Sequence, residues 1–326
     1  MNDIMVSIIC ATFNHEKYIK RALDSFLMQK LKYKFEVVIH DDASTDNTPK
    51  IIKEYEKKYP DIFSCIYANE NRTSKGVSVF KDYLIPASKG KYIAFCEGDD
   101  YFVDPLKLQK QVDYMESHPD CTLCVHAAEI VSVDEKRIQL LCPRKESGVI
   151  PPADVIKGGG GFVATNSIMF PSRIVKHFPN FFSFGEIYDY VWQMYFASQG
   201  TTYYLSDVMS AYRKGDPSSW SNQTQINTQR NVSREISKQK ILRQFDEDTN
   251  YKFHDAVKSR IQESKFYIYM WTRNKKLKKD KDVIAYRKSI PRYNYYSMLL
   301  RTRTPHIYII VHTLNIKIRL IKSNIK

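Results

Sequence analysis

No run of about 18 apolar residues exists in this 326-residue chain, which excludes an obvious membrane-spanning helix. The start lacks a basic stretch and a small-residue cleavage site. Met1-Asn2-Asp3 leads straight into the apolar Met5–Cys10, and the expectation is a chain without a secretory signal. Cys121-x-x-Cys124 lacks a second Cys or His pair at ligand spacing, and Leu123 and Val125 continue a strand pattern across it. The six cysteines therefore read mostly as small buried hydrophobes in a reducing compartment, with the cytoplasm as the default location. Ala11–Lys17 supplies no glycine-rich phosphate loop, which counts against a nucleotidyltransferase. No internal repeat is apparent.

What is present is an ordinary globular composition, 43% hydrophobic and 26% charged, with an uneven net charge of +14. Residues 251–326 hold 19 Lys and Arg against 4 Asp and Glu, so the first 250 residues sum to −1. A near-neutral domain followed by a basic extension implies a division of labour. The boundary is placed at 1–221 and 222–326.

The first hundred residues alternate apolar runs with amphipathic segments. Val6–Ala11, Phe35–His40, Phe63–Tyr67 and Tyr92–Cys96 read as strands; Glu16–Met28, a segment from Thr48-Pro49 and one around Ser78–Ser88 read as helices. That alternation predicts an α/β fold, a parallel sheet with helices on both faces. Farther on, Pro105–His118 and Asp189–Gln199 read as helices, Cys121–Val133 as a strand pair and Ser167–Phe170 as a strand. Gly158–Gly161 reads as a turn. From about residue 222 the chain reads as helical, with Lys275–Lys281 as a charged loop.

Ligands of parallel sheets bind beyond the carboxyl ends of the strands. Three polar clusters fall there: Thr12-Phe13-Asn14, Asp41–Asp46, and Glu97-Gly98-Asp99-Asp100. Adjacent carboxylates repel one another, and a hard cation such as Mg²⁺ or Mn²⁺, bridging to substrate phosphates, would relieve them. A solvated acidic turn, or a cap for the following helix, is the plainer alternative.

Val6–Asn14, Asp41–Thr48 and Gly90–Asp100, continued by Asp104–Gln111, Gly185–Tyr190 and Met209–Arg213, resemble in order and spacing the family 2 inverting glycosyltransferases. The resemblance covers about residues 4–220. It implies a GT-A fold, a Rossmann-like, mostly parallel sheet flanked by helices, here with a mainly helical basic C-terminal extension. It implies transfer of a sugar from a nucleotide-diphosphate sugar, UDP being the commonest nucleotide of the family, to a hydroxyl of a glycan or lipid-linked acceptor in surface polysaccharide synthesis. On that resemblance Ala11, Thr12 and Asn14 lie along the nucleotide and Asp42 accepts from the base. Asp99 and Asp100 hold the ribose side and a divalent metal, Mn²⁺ or Mg²⁺. The motif's first acidic slot holds Glu97, which leaves open which carboxylates touch the metal. Asp189 matches the general base, with Glu186 as a rival; a first-turn acid favoured by the helix dipole is the bland reading of Asp189.

Two departures stand out. Lys214 occupies the place where many relatives have a histidine, and Lys75–Phe80 lacks the usual arginine-asparagine pair. Trp220, in the loop Gly215–Ser221, either stacks on a sugar or pins its loop. Tyr293, Tyr295, Tyr296 and Tyr308 lie among Arg301, Arg303, Lys317, Arg319 and Lys322, a mixture suited to an anionic membrane surface or to a solvated helical face. None of the nucleic-acid reading motifs occurs, so no nucleic-acid partner is expected. The combined expectation is a cytoplasmic enzyme, peripheral on the inner face of the membrane. The alternative is a catalytically silent nucleotide-sugar-binding scaffold.

Overall fold

The apolar run near the start of the chain becomes a central strand because both of its faces are covered. The computed structural model describes residues 4–184, 189–216 and 227–304. β1 (Ile4–Thr12) is buried from Val6 to Cys10, hence its lack of polar alternation. β2 (Lys34–Asp41), β3 (Phe63–Tyr67) and β4 (Tyr92–Phe95) join it in the order β3-β2-β1-β4, all parallel. α1 (Ile19–Leu27) contributes Ile19, Ala22, Leu23 and Phe26 to a core shared with Ile8, Cys10, Val37 and Ile39. α2 (Thr48–Lys58) carries Pro49 in its first turn, where a missing N–H costs nothing.

One polar pair inside this sheet closes a junction. Ser7 Oγ donates to Glu36 Oε1 at 2.7 Å, and the amide of Lys89 donates to the same carboxylate oxygen at 2.6 Å. A β-carbon at Gly90 would lie 2.4 Å from the Ser7 nitrogen, so only glycine fits against β1 there. The helix expected around Ser78–Ser88 is a π-helical turn, Phe80–Leu84, running into the single turn α3 (Ile85–Ala87) around Pro86.

Beyond β4 come β5 (Tyr101–Phe102), α4 (Lys107–Ser117), β6 (Cys121–Val131), β7 (Arg137–Leu141), β8 (Gly148–Ile150) and α5 (Pro152–Gly158). β9 (Met169–Pro171), α6 (Asp189–Ser198) and β10 (Thr201–Arg213) complete the set. The sheet continues β4-β9-β6-β10-β5, with β9 antiparallel to both neighbours and β6 parallel to β10. The strand pair expected over Cys121–Val133 is instead one long strand whose first eight residues are all buried. The turn follows it, at Ser132–Lys136, where Glu135 takes φ +59°. Gly158 belongs to α5 rather than to the glycine turn.

Lys107 is fully buried, with its Nζ 2.8 Å from Gln111 Oε1 and 4.2 Å from the centre of the Phe102 ring. Burial pulls its pKa down to about 7, against the opposing pull of Cys96 and Cys124. The unfolded chain keeps that proton to about pH 10.4. Between the two values the unfolded state binds the extra proton, so this site makes the fold more stable as pH rises. Lys107→Met is therefore expected to gain most over wild type below pH 7, with the difference shrinking toward pH 10. Urea melts at pH 6.5 and 9 check it; a constant difference contradicts it.

The molecule divides into two compact units, Met1–Val131 with Gln139–Phe178 and Glu186–Arg213, and Ser132–Ile138 with Pro179–Gly185 and Lys214–Lys326. The first unit ends at Arg213, the last residue of β10. Described helices of the second unit are α7 (Thr228–Asp248), α8 (His254–Thr272), α9 (Lys275–Lys278), α10 (Lys281–Ser289) and α11 (Arg292–Arg303). Phe266, Met270 and Val283 form a small core there, and Phe181 meets the face of Phe245 edge-on. The charged loop expected at Lys275–Lys281 is mostly a helical turn, because Asn274 Oδ1 caps it through the Lys276 amide at 2.9 Å. No described helix is long and apolar enough to cross a membrane.

Candidate active site

Because β2, β1 and β4 are parallel neighbours, their carboxyl ends bring three loops side by side. The Asp42 amide donates to the Thr12 carbonyl at 2.9 Å, and the Gly98 amide to that of Ala11 at 3.0 Å. A β-carbon at Gly98 would sit 2.6 Å from Thr12 Oγ1, so glycine lets the acidic turn press against the end of β1. Asn14, at φ +54°, accepts from the Thr45 amide and donates its own amide to Ser44 Oγ, each at 2.8 Å. Asn14 thus stitches the first loop to the second. Asp42 is buried, and its two oxygens accept from the amides of Arg72 at 2.7 Å and Thr73 at 3.0 Å. Its visible task is to hold the loop after β3.

Glu97, Asp99 and Asp100 have carboxylate oxygens within 4.8 Å of one another. They differ in commitment. Asp100 is 1% exposed; its Oδ1 accepts from the Arg213 amide at 2.8 Å and its Oδ2 from Asn166 Nδ2 at 3.1 Å. Arg213 also donates its Nε to the Asp99 carbonyl at 2.9 Å and lies 4.4 Å over the Tyr18 ring. Glu97 and Asp99 are only half-buried.

Asp189 opens α6, a helix buried from Tyr190 to Ala197 and locked by the stack of Phe196 on Phe170 at 4.0 Å. Thr165 Oγ1 donates to Asp189 Oδ2 at 2.5 Å. Burial raises the Asp189 pKa above the usual carboxylate value, and the Thr165 hydrogen bond opposes the rise. Burial also lifts Glu97 well above its ordinary value, reinforced by the charges of Asp189 and then Asp99. Asp100 is lifted by burial and by Asp99 and Glu97, with Arg213 opposing. The Tyr212 phenol is pushed up by burial and by all four of these carboxylates. Three crowded carboxylates are an all-oxygen donor set in which Mg²⁺ or Mn²⁺ fits, since either offsets their mutual repulsion. Glu97, Asp99 and Asp100 would together hold it, since Asp100 keeps free lone pairs although both its oxygens accept from protein donors.

The sequence profile of glycosyl transferase family 2 matches residues 7–214. The chain belongs to glycosyl transferase family 2. Among relatives of this family 2 chain, protein Rv1520 of Mycobacterium tuberculosis is 48% identical over 130 residues, 40% of this chain and 36% of that one. The UDP-Glc:alpha-D-GlcNAc-diphosphoundecaprenol beta-1,3-glucosyltransferase WfaP of Escherichia coli is 35% identical over 113 residues, 35% of this chain and 42% of WfaP. The matched segments thus span well under half the length of these curated relatives. The crystal structure of TarS 1–349 of S. aureus in complex with UDP-GlcNAc superimposes with a TM-score of 0.61 at 16% identity, covering 97% of this chain and 90% of that one. At that identity the likeness speaks for the fold, and the fold is GT-A.

The structure brings Ala11, Thr12, Asn14, Asp42, Asp99 and Asp100 to the carboxyl edge of one sheet, and the charge of Asp189 is felt at Glu97. Lys214 is half-buried and belongs to the second unit. Glu186, Trp220 and the tail from Pro305 lie outside the described residues. Sequence reasoning missed Thr165 and Asn166. They sit in an apolar stretch with no chemical signature, and only the fold reveals what they touch.

Proposed function

We propose that this family 2 chain is an inverting glycosyltransferase that moves a sugar from a UDP-sugar to a hydroxyl of a glycan or lipid-linked acceptor in surface polysaccharide synthesis. The observation that carries the reading is the cluster of Glu97, Asp99 and Asp100 beyond the carboxyl ends of parallel strands, linked to Asp189 through the chain neighbours Asn166 and Thr165. That arrangement supports a proton acceptor beside a diphosphate site. The names of relatives favour the substrate class: WfaP takes a UDP-sugar and an acceptor on a lipid diphosphate, and TarS was solved with a UDP-sugar.

In this mechanism Asp189 takes the proton of the acceptor hydroxyl as that oxygen bonds to the anomeric carbon. The bond from that carbon to the diphosphate oxygen breaks on the opposite face, and the configuration inverts. A divalent cation, which Glu97, Asp99 and Asp100 would hold, would supply Lewis-acid neutralisation of the departing charge. Ala11, Thr12 and Asn14 line the nucleotide, and Asp42 uses its remaining lone pairs for the base. Holding donor and acceptor in line accounts for roughly 7–11 kcal/mol of barrier reduction. Lys275, Lys276, Lys278 and Lys279 with the exposed Tyr293 and Tyr296 support a peripheral position on an anionic membrane.

NMR of the product from an α-linked UDP-sugar and a lipid-diphosphate-linked acceptor tests the reaction. A β-linked product is expected. A retained configuration overturns the mechanism, and donor binding without any transfer favours the silent scaffold. Pelleting with phosphatidylglycerol vesicles that weakens with salt is expected for the membrane contact; no pelleting at low salt overturns it.

A further inference from the structure

Thr165 and Asn166 are sequence neighbours in one tight turn, both shielded from solvent, yet their side chains serve different parts of the site. Thr165 Oγ1 reaches Asp189. Asn166 Nδ2 donates to Asp100 Oδ2 at 3.1 Å and to the Ala211 carbonyl at 2.8 Å, while its Oδ1 accepts from Ser210 Oγ at 2.6 Å. An amide with bonds on both its ends cannot rotate without breaking several at once. The backbone is fixed as well, since the Ser167 amide donates to the Ala164 carbonyl at 2.9 Å and Ser167 Oγ to the same oxygen at 2.6 Å.

We propose that Thr165 and Asn166 are positioning residues, a rigid two-residue coupling that sets the carboxylate of Asp189 relative to the acidic turn at Asp100. The inference rests on the reading of Asp189 as the base. A single peptide step, about 3.8 Å between α-carbons, separates the two anchor points, which leaves little play between them. Thr165 adds a second constraint, because it occupies one oxygen of Asp189 and leaves the other to take the proton. Misplacement of a reacting group by about 1 Å can cost on the order of 100-fold in rate.

Thr165→Val keeps the shape and removes the hydroxyl. With UDP-glucose as probe and UDP release as readout, kcat is expected to fall about 10- to 100-fold with UDP-glucose affinity unchanged, and Thr165→Ser is expected to recover to within about threefold. A role in packing alone predicts the reverse: a weakened fold, altered affinity and no rescue by serine. That result overturns the inference. Crystal structures of wild type and Thr165→Val supply a readout independent of turnover. Rotation of the Asp189 carboxylate is expected in the variant, and a carboxylate that keeps its place overturns the coupling. Wild type that neither binds nor cleaves nucleotide sugars would instead overturn the proposed reaction, with the crystallographic comparison still deciding the coupling.

Discussion

Asp189→Asn is expected to lower kcat by about 10²- to 10⁴-fold, the usual contribution of a positioned general base, while leaving nucleotide-sugar binding intact. The amide keeps the size of the side chain, and its oxygen still accepts from Thr165, so the helix start is preserved. What is lost is the capacity to take a proton. Single-turnover rates with donor affinity measured alongside separate these effects. Glu186 is the rival base. If Asp189→Asn turns over normally and Glu186→Gln does not, the assignment passes to Glu186.

Asp99→Asn and Asp100→Ala, next to each other in sequence, are expected to fail in different ways. Asp99 is half-buried at the mouth of the acidic turn, and its loss should abolish the Mn²⁺-dependent part of donor binding in a protein that still melts normally. Asp100→Ala leaves the Arg213 amide and one N–H of Asn166 Nδ2 buried without an acceptor, the other N–H keeping the Ala211 carbonyl. Each orphaned donor costs about 1–3 kcal/mol, and removal of the buried partner as a whole is expected to cost about 3–5 kcal/mol. Urea melts with and without Mn²⁺ distinguish the two outcomes. Equal stability of Asp100→Ala and wild type would show that its hydrogen bonds do not brace the site.

Much of this was legible in the sequence because it rests on short-range pattern. Val6–Cys10 and Val37–Ile39 announce buried parallel strands, and the polar residues that follow them can only lie at the sheet's edge. The acidic turn announces itself by carrying three carboxylates within four residues. Other features were illegible for physical reasons. β6 continues its apolar pattern through Val133, so periodicity alone could not place its end at Val131. The distinction between Asp99 and Asp100 depends on who donates to each, and the donors stand 66 and 113 residues away from Asp100. Thr165 and Asn166 look like ordinary polar residues in an apolar run until the fold shows what they hold. Asp42 and Asn14 carry structural bonds that the resemblance does not mention, so their replacement tests loop order as well as nucleotide contact.

The most direct test of the central claim is calorimetric titration of UDP-, GDP- and TDP-sugars into wild type and Asp99→Asn, each with and without Mn²⁺. One nucleotide class is expected to bind wild type in a Mn²⁺-dependent manner, and a concentration of 100 times Kd should then stabilise the fold by about 2.7 kcal/mol. Asp99→Asn should lose the Mn²⁺-dependent binding while remaining folded. Failure of every nucleotide sugar to bind the folded wild-type protein in the presence of Mn²⁺ would contradict the account.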